Sequence, residues 1–127
     1  MLPKDNRLTK IRGFNLLFKH GIYVSGQLLD LKLLRLDKIL NYLPKKEDPH
    51  DFVKQLLIGI SVGIKISKKA VVRNKIKRQI REILRLSLQK NDIMSGYYLL
   101  FIAKKEAVGK EYSELEKEVK NLIGKIR

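Results

Sequence analysis

The chain contains no cysteine, which removes disulfides, thiolate metal sites and cysteine nucleophiles together. No apolar run approaches the roughly 18 residues that a membrane span needs. The first residues, Met1-Leu2-Pro3-Lys4-Asp5-Asn6-Arg7, lack the apolar core of a signal peptide. Neither secretion nor membrane insertion is expected, and a cytoplasmic protein suits the composition. Glycine and proline are sparse, 8 and 3 in 127 residues, and no internal repeat is visible. With a hydrophobic share of 44%, residues 1–127 are expected to fold as one domain that needs no staples. Catalytic constellations are also missing. His20 and His50 are isolated, and Asp37, Asp48, Asp51 and Asp92 form no paired-carboxylate motif. The polypeptide is expected to carry no catalytic residue and no metal of its own.

Acidic side chains are scarce and unevenly spread: 13 Asp and Glu stand against 28 Lys and Arg, for a net charge of +15. Between Lys65 and Lys90 there are ten basic residues and one acid, Glu82; residues 1–20 hold five basic residues and one acid. Those two segments carry thirteen of the fifteen net charges, and the remainder is nearly balanced. A solvated face normally mixes signs, so charge gathered this way favours a polyanionic partner.

Periodicity places the charge on elements. Phe14, Leu17 and Phe18 recur at helical spacing within 11–20, and Lys19, His20 and Gly21 suit a helix C-terminus. Ile22 to Leu36 is strand-like, with Leu29, Leu31 and Leu33 on one face and a bend or bulge expected near Gly26. Residues 37–54 read as a surface excursion with a loop at 43–49, where Pro44 and Pro49 limit regular pairing. Leu56 to Ile66 reads as a strand with Ile58, Ile60, Val62, Ile64 and Ile66 facing one way. Its other face is bare at Gly59, Ser61 and Gly63, leaving room for a packed helix or for another chain.

A helix over 70–90 follows. At about 100° per residue, Val72, Ile76, Ile80, Ile83 and Leu84 form a core stripe; Asn74, Arg78, Arg81 and Arg85 lie opposite, with Arg73 and Lys77 on the border. Asn74 suits a base edge, a 2′-hydroxyl or a local cap. Tyr97 to Ala103 is a further strand, and 111–126 a last helix with a capping box expected at Ser113 and Glu116. The order implies an α+β fold, a small sheet with helices packed on it.

The pattern Ala70-Val71-x-Arg73-Asn74-x-x-Lys77-Arg78-x-x-Arg81, entered from a Gly59-x-Ser61-Val62 strand, resembles the protein subunit of bacterial ribonuclease P. Asn6-Arg7-Leu8, Phe14-x-x-x-Phe18-Lys19-x-Gly21 and Ala103-Lys104-Lys105 are similar to that family as well. The resemblance covers nearly the whole chain outside 37–54. It implies a four-stranded sheet in the order αβββαβα with a left-handed βαβ crossover, a fold like the second domain of a small-subunit ribosomal protein. It implies an RNA-binding subunit, joined one to one with a catalytic RNA that carries the magnesium and the chemistry, in an enzyme that removes the 5′ leader of precursor tRNA. The catalytic RNA would be met by Lys68, Lys69, Arg73, Asn74, Lys75, Lys77, Arg78, Arg81 and Arg85. The leader would lie along Arg7, Arg12, Phe14, Phe18, Ser61 and Lys65, with bases stacking on aromatic rings if these are not core.

Two departures from the family pattern stand out. Lys75 replaces the arginine that usually closes Arg-Asn-Arg, keeping charge but losing the planar fork that grips phosphate bidentately. Ser67-Lys68-Lys69 occupies a connection one residue longer than the common form. The rival readings are a ribosomal or ribosome-associated RNA-binding protein, and a basic amphipathic helix lying on an anionic membrane.

Overall fold

A computed structural model describes residues 2–42 and 48–126. Three of its main elements fall where periodicity puts them. Helix α1 is Ile11–His20, α3 is Ala70–Gln89, and strand β4 is Tyr97–Ala103. The strand-like stretch after α1 is two strands, β1 (Ile22–Val24) and β2 (Leu29–Arg35), reversed at 25–28. The one-turn helix α2 (Pro49–Phe52) precedes β3 (Leu56–Ser61), and α4 (Tyr112–Gly124) closes the chain. The sheet order is β1-β2-β4-β3: β2 is antiparallel to β1 and β4, while β3 runs parallel to β4, with α3 as the crossover.

The two sheet faces are covered unequally. On one, Leu29, Leu31, Leu33, Leu99 and Phe101 meet Ile76, Ile80, Ile83 and Leu84 of α3 and Leu115, Val119 and Leu122 of α4. Burying each such side chain is worth about 1.5–3 kcal/mol, so this layer anchors the fold. On the other, Leu34, Tyr98 and Leu100 pack with Leu8, Leu17, Leu36, Ile39 and Phe52 in a smaller cluster.

The structure corrects four expectations. β3 stops at Ser61; the chain then turns, Ile66 N donating to Gly63 O at 3.0 Å, so Ile64 is 66% exposed where continued alternation would bury it. The capping box of α4 joins Glu111 and Glu114, two residues before the expected pair, because the chain enters the helix earlier. The excursion at 37–54 is not all surface: Ile39 and Phe52 are buried in the smaller cluster, with Phe52 edge-on to Tyr98. Within the expected loop at 43–49, residues 43–47 lie outside the described residues. Finally, the bare strip of β3 is only partly bare. A Cβ on Gly59 would meet Leu100 Cδ1 at 3.1 Å and Leu8 Cβ at 3.5 Å, whereas one on Gly63 would meet no atom of the described residues within 4 Å.

One polar network was not foreseen. Asp30 is buried and accepts hydrogen bonds from Tyr23 Oη at 2.6 Å, Ser25 Oγ at 3.1 Å and Gly26 N at 3.2 Å. Lys104 Nζ donates to Gly26 O at 2.9 Å, and Leu28 N donates to the buried Glu118 carboxylate of α4. The β1–β2 turn is thereby tied to both β4 and α4. Burial works against ionisation of Asp30, but the bonds from Tyr23, Gly26 and Ser25 and the charge of Lys104 together lower its pKa.

Candidate nucleic-acid interface

Helix α3 turns its isoleucine row inward and its cations outward. Ile76, Ile80, Ile83 and Leu84 are buried, while Asn74, Lys75 and Arg78 are exposed and Arg73, Lys77, Arg81 and Arg85 are half-buried. Val71, Asn74, Arg78 and Arg81 line an open depression on this face. The helix starts without a side-chain cap and without an acid in its first turn. Lys68 and Lys69 stand exposed just before it. Cations near a helix N-terminus oppose its dipole, so the local electrostatics are relieved by an incoming anion and the helix is held meanwhile by its buried stripe.

The outward residues are not equivalent. Arg85 is taken by Glu82: its Nη2 lies 2.6 Å from Glu82 Oε1 and its Nε donates to Glu82 Oε2 at 3.1 Å. Bonding by Arg85 holds the Glu82 carboxyl below its ordinary pKa, and bonding to Glu82 raises that of Arg85. Arg73 has a buried Nε with no hydrogen-bond partner among the described residues. Its side chain is half in the scaffold, as its border position on the helical wheel implies.

The proposed leader residues fall in four places. Phe14 and Phe18 are stacked on α1, ring centroids 6.4 Å apart and 22° from parallel. Phe14 is half-buried against the smaller cluster, whereas Phe18 is 55% exposed. Ser61 sits at the open end of the sheet face that α1 partly covers, paired in register with Ile102. Lys65 is exposed in the turn after β3, beyond the strand alternation. Arg7 and Arg12 flank a groove of about 400 Å3 that runs past Leu8, Gly13 and Tyr98. A Cβ on Gly13 would come within 2.7 Å of Leu8 Cδ1, so α1 approaches this groove as closely as glycine allows.

Two side chains of this surface escaped the sequence reading. Lys32 places its Nζ 4.8 Å from the centre of the Phe18 ring, a cation–π contact that leaves a positive charge beside the exposed aromatic. Tyr23, 55% exposed, is the cross-strand partner of Lys32. Neither position is marked by a local motif, because their meeting depends on the β1–β2 register.

A cationic helix rooted in the core, beside a sheet face that one short helix leaves partly open, defines a small α+β RNA-binding scaffold. Residues 2–127 match the Ribonuclease P family. The ribonuclease P protein component of Clostridium kluyveri is 38% identical over 119 residues, covering 94% of this chain and 92% of that one. That of Nostoc punctiforme is 38% identical over 114 residues, with 84% and 79% covered. Among solved structures, the ribonuclease P protein of Thermotoga maritima superposes with a TM-score of 0.71 at 25% identity, over 96% of this chain and 98% of that one. The chain belongs to the ribonuclease P protein family. It is the protein subunit of the endonuclease that matures tRNA 5′ ends, and its partner is the ribonuclease P RNA. The ribosomal alternative is not favoured.

Proposed function

We propose that the chain docks on the catalytic RNA through the outward face of α3 and presents the α1 side of its sheet to the single-stranded 5′ leader of precursor tRNA, in the cytoplasm. The observation that carries this reading is the split character of α3. Ile76, Ile80, Ile83 and Leu84 of its apolar stripe are buried in the core and Val72 packs against it, which also argues against a membrane role for that stripe, and Arg78 and Arg81 have no ion pair among the described residues. No described helix is long and apolar enough to cross a membrane. Phosphate contacts of this kind act by releasing counterions, so affinity falls steeply with salt. Lys68, Lys69, Arg73, Asn74, Lys75 and Lys77 extend the same face. Arg85 contributes less, because Glu82 already neutralises it.

On the leader side, Phe18 is the stacking surface and Phe14 supports it from beneath. Lys32 draws the backbone toward the ring, with Arg12, Ser61 and Lys65 along the path. Magnesium and the chemistry are assigned to the RNA, as the family resemblance implies, and the polypeptide is given binding and orientation.

Reconstitution tests the proposal. The protein should lower the magnesium needed for cleavage by the RNA and favour precursor tRNA over leaderless tRNA. Phe18→Ala should reduce that preference while leaving affinity for the catalytic RNA intact. Unchanged cleavage at low magnesium, or equal affinity for both tRNAs, would overturn it.

A further inference from the structure

We propose that Arg7 and Arg81 share one phosphodiester of single-stranded RNA, in a groove between the N-terminal segment and α3. The proposal rests on the RNA-binding reading of α3 above. It differs in joining two arginines that the family resemblance assigns to separate RNAs.

The N-terminal segment runs along the outer edge of β3. Asn6 Nδ2 donates to Leu56 O at 2.9 Å, Leu8 N donates to Ile58 O at 2.9 Å, and Arg7 bridges in parallel to Ile58. This segment forms a saddle with a groove on either side. Arg7, Leu8 and Thr9 line the groove toward α1 and Tyr98, and the same three line a second groove of about 250 Å3 with Ile58–Ile60 and Arg81.

Among the described residues, no acid lines the second groove. Arg7 is oriented there by its Nε, which donates to Leu2 O at 2.9 Å and leaves both Nη groups for a ligand. Arg81 has no ion pair among the described residues. Both arginines are half-buried, so an anion between them is less screened than one beside the exposed Lys65 or Lys68. Two guanidinium forks suit the non-bridging oxygens of a phosphodiester. Thr9 adds a hydroxyl, and the apolar stretch at Ile58 and Ile60 suits a ribose. The space is below the roughly 300 Å3 at which drug-sized sites begin, enough for one backbone unit and too small for a folded element.

The phosphodiester can come from the catalytic RNA or from the leader, and the test separates the two. In the free full-length protein, titration with pentauridylate should shift the amide resonances of Gly59 and Ile60, and Arg81→Gln should abolish those shifts. In the holoenzyme, affinity is measured in two arms, one for ribonuclease P RNA and one for precursor tRNA with and without its leader. Arg7→Gln and Arg81→Gln should each weaken the same arm by about tenfold, as expected for one charged hydrogen-bonded contact. The arm affected identifies the source. The double variant should lose little more than the worse single one, rather than about a hundredfold. Losses in different arms, or full additivity, would overturn the shared site, as would shifts that persist in Arg81→Gln. Arg78→Gln isolates the underlying reading: if it too leaves RNA affinity unchanged, the docking role of α3 fails, whereas a loss there alone rejects only the groove. Slow hydrogen exchange at the Leu8 amide checks that Arg7→Gln leaves the segment seated, and Arg81→Gln carries the test if it does not.

Discussion

Helices α1 and α3 are both basic and amphipathic, yet they use their apolar residues differently. α3 buries Ile76, Ile80, Ile83 and Leu84 and turns its cations outward, with Val71 of its first turn exposed beside them. α1 has only Leu17 and Gly13 buried, and leaves Phe18 55% and Ile11 77% exposed. A helix with a saturated apolar stripe needs no further partner on that side. One that leaves large apolar side chains in water, next to Lys32, has surface left over for a ligand. Anchoring and recognition are thus divided between the two sheet faces.

The sharpest way to break this comparison is to truncate each helix in turn. Ile80→Ala should lower unfolding free energy by about 2–5 kcal/mol in urea titrations, and Phe18→Ala by less than about 1 kcal/mol. Comparable losses would make Phe18 a core residue. Next comes the seat beneath α1. Gly59→Val forces Leu8 or Leu100 aside and should cost about 1–3 kcal/mol, while Gly63→Val, with open space around it, should be close to neutral.

Smaller still are the cations. Arg78→Ala should change stability by less than about 0.5 kcal/mol, yet reduce the salt slope of RNA binding by about one. Arg85→Ala should change that slope less, since its charge is already paired with Glu82. The smallest effect concerns Asp30. Its carboxyl is held below the ordinary value, so the stabilisation is complete above the ordinary aspartate pKa of about 3.9 and fades as pH falls through the lower folded one. Asp30→Asn should therefore flatten the acid limb of a stability–pH profile. An unchanged limb would mean that the turn network is not what acid disrupts.

The cationic helix was legible because everything needed to see it is local: the isoleucine spacing, the arginine phase and the lone Glu82 all lie within 20 residues. Strand β4 was legible for the same reason. The trough beside β3 is only half legible, because alternation cannot say what another part of the chain brings to a bare position. Leu8, far away in sequence, settles over Gly59, and the strand ends at Ser61 because the chain turns at Gly63. Lys32 and Tyr23 went unnoticed since a charged residue in a strand is unremarkable until register sets it beside an aromatic ring.

By itself, then, the sequence determined the α+β character, the charge polarity of α3 and the polyanionic nature of the partner, because periodicity and charge count act over a few turns. The tertiary structure alone decided which arginines stay free, which glycine is covered, and that Arg7 and Arg81 face one groove. Those outcomes depend on long-range contacts whose geometry no local pattern encodes.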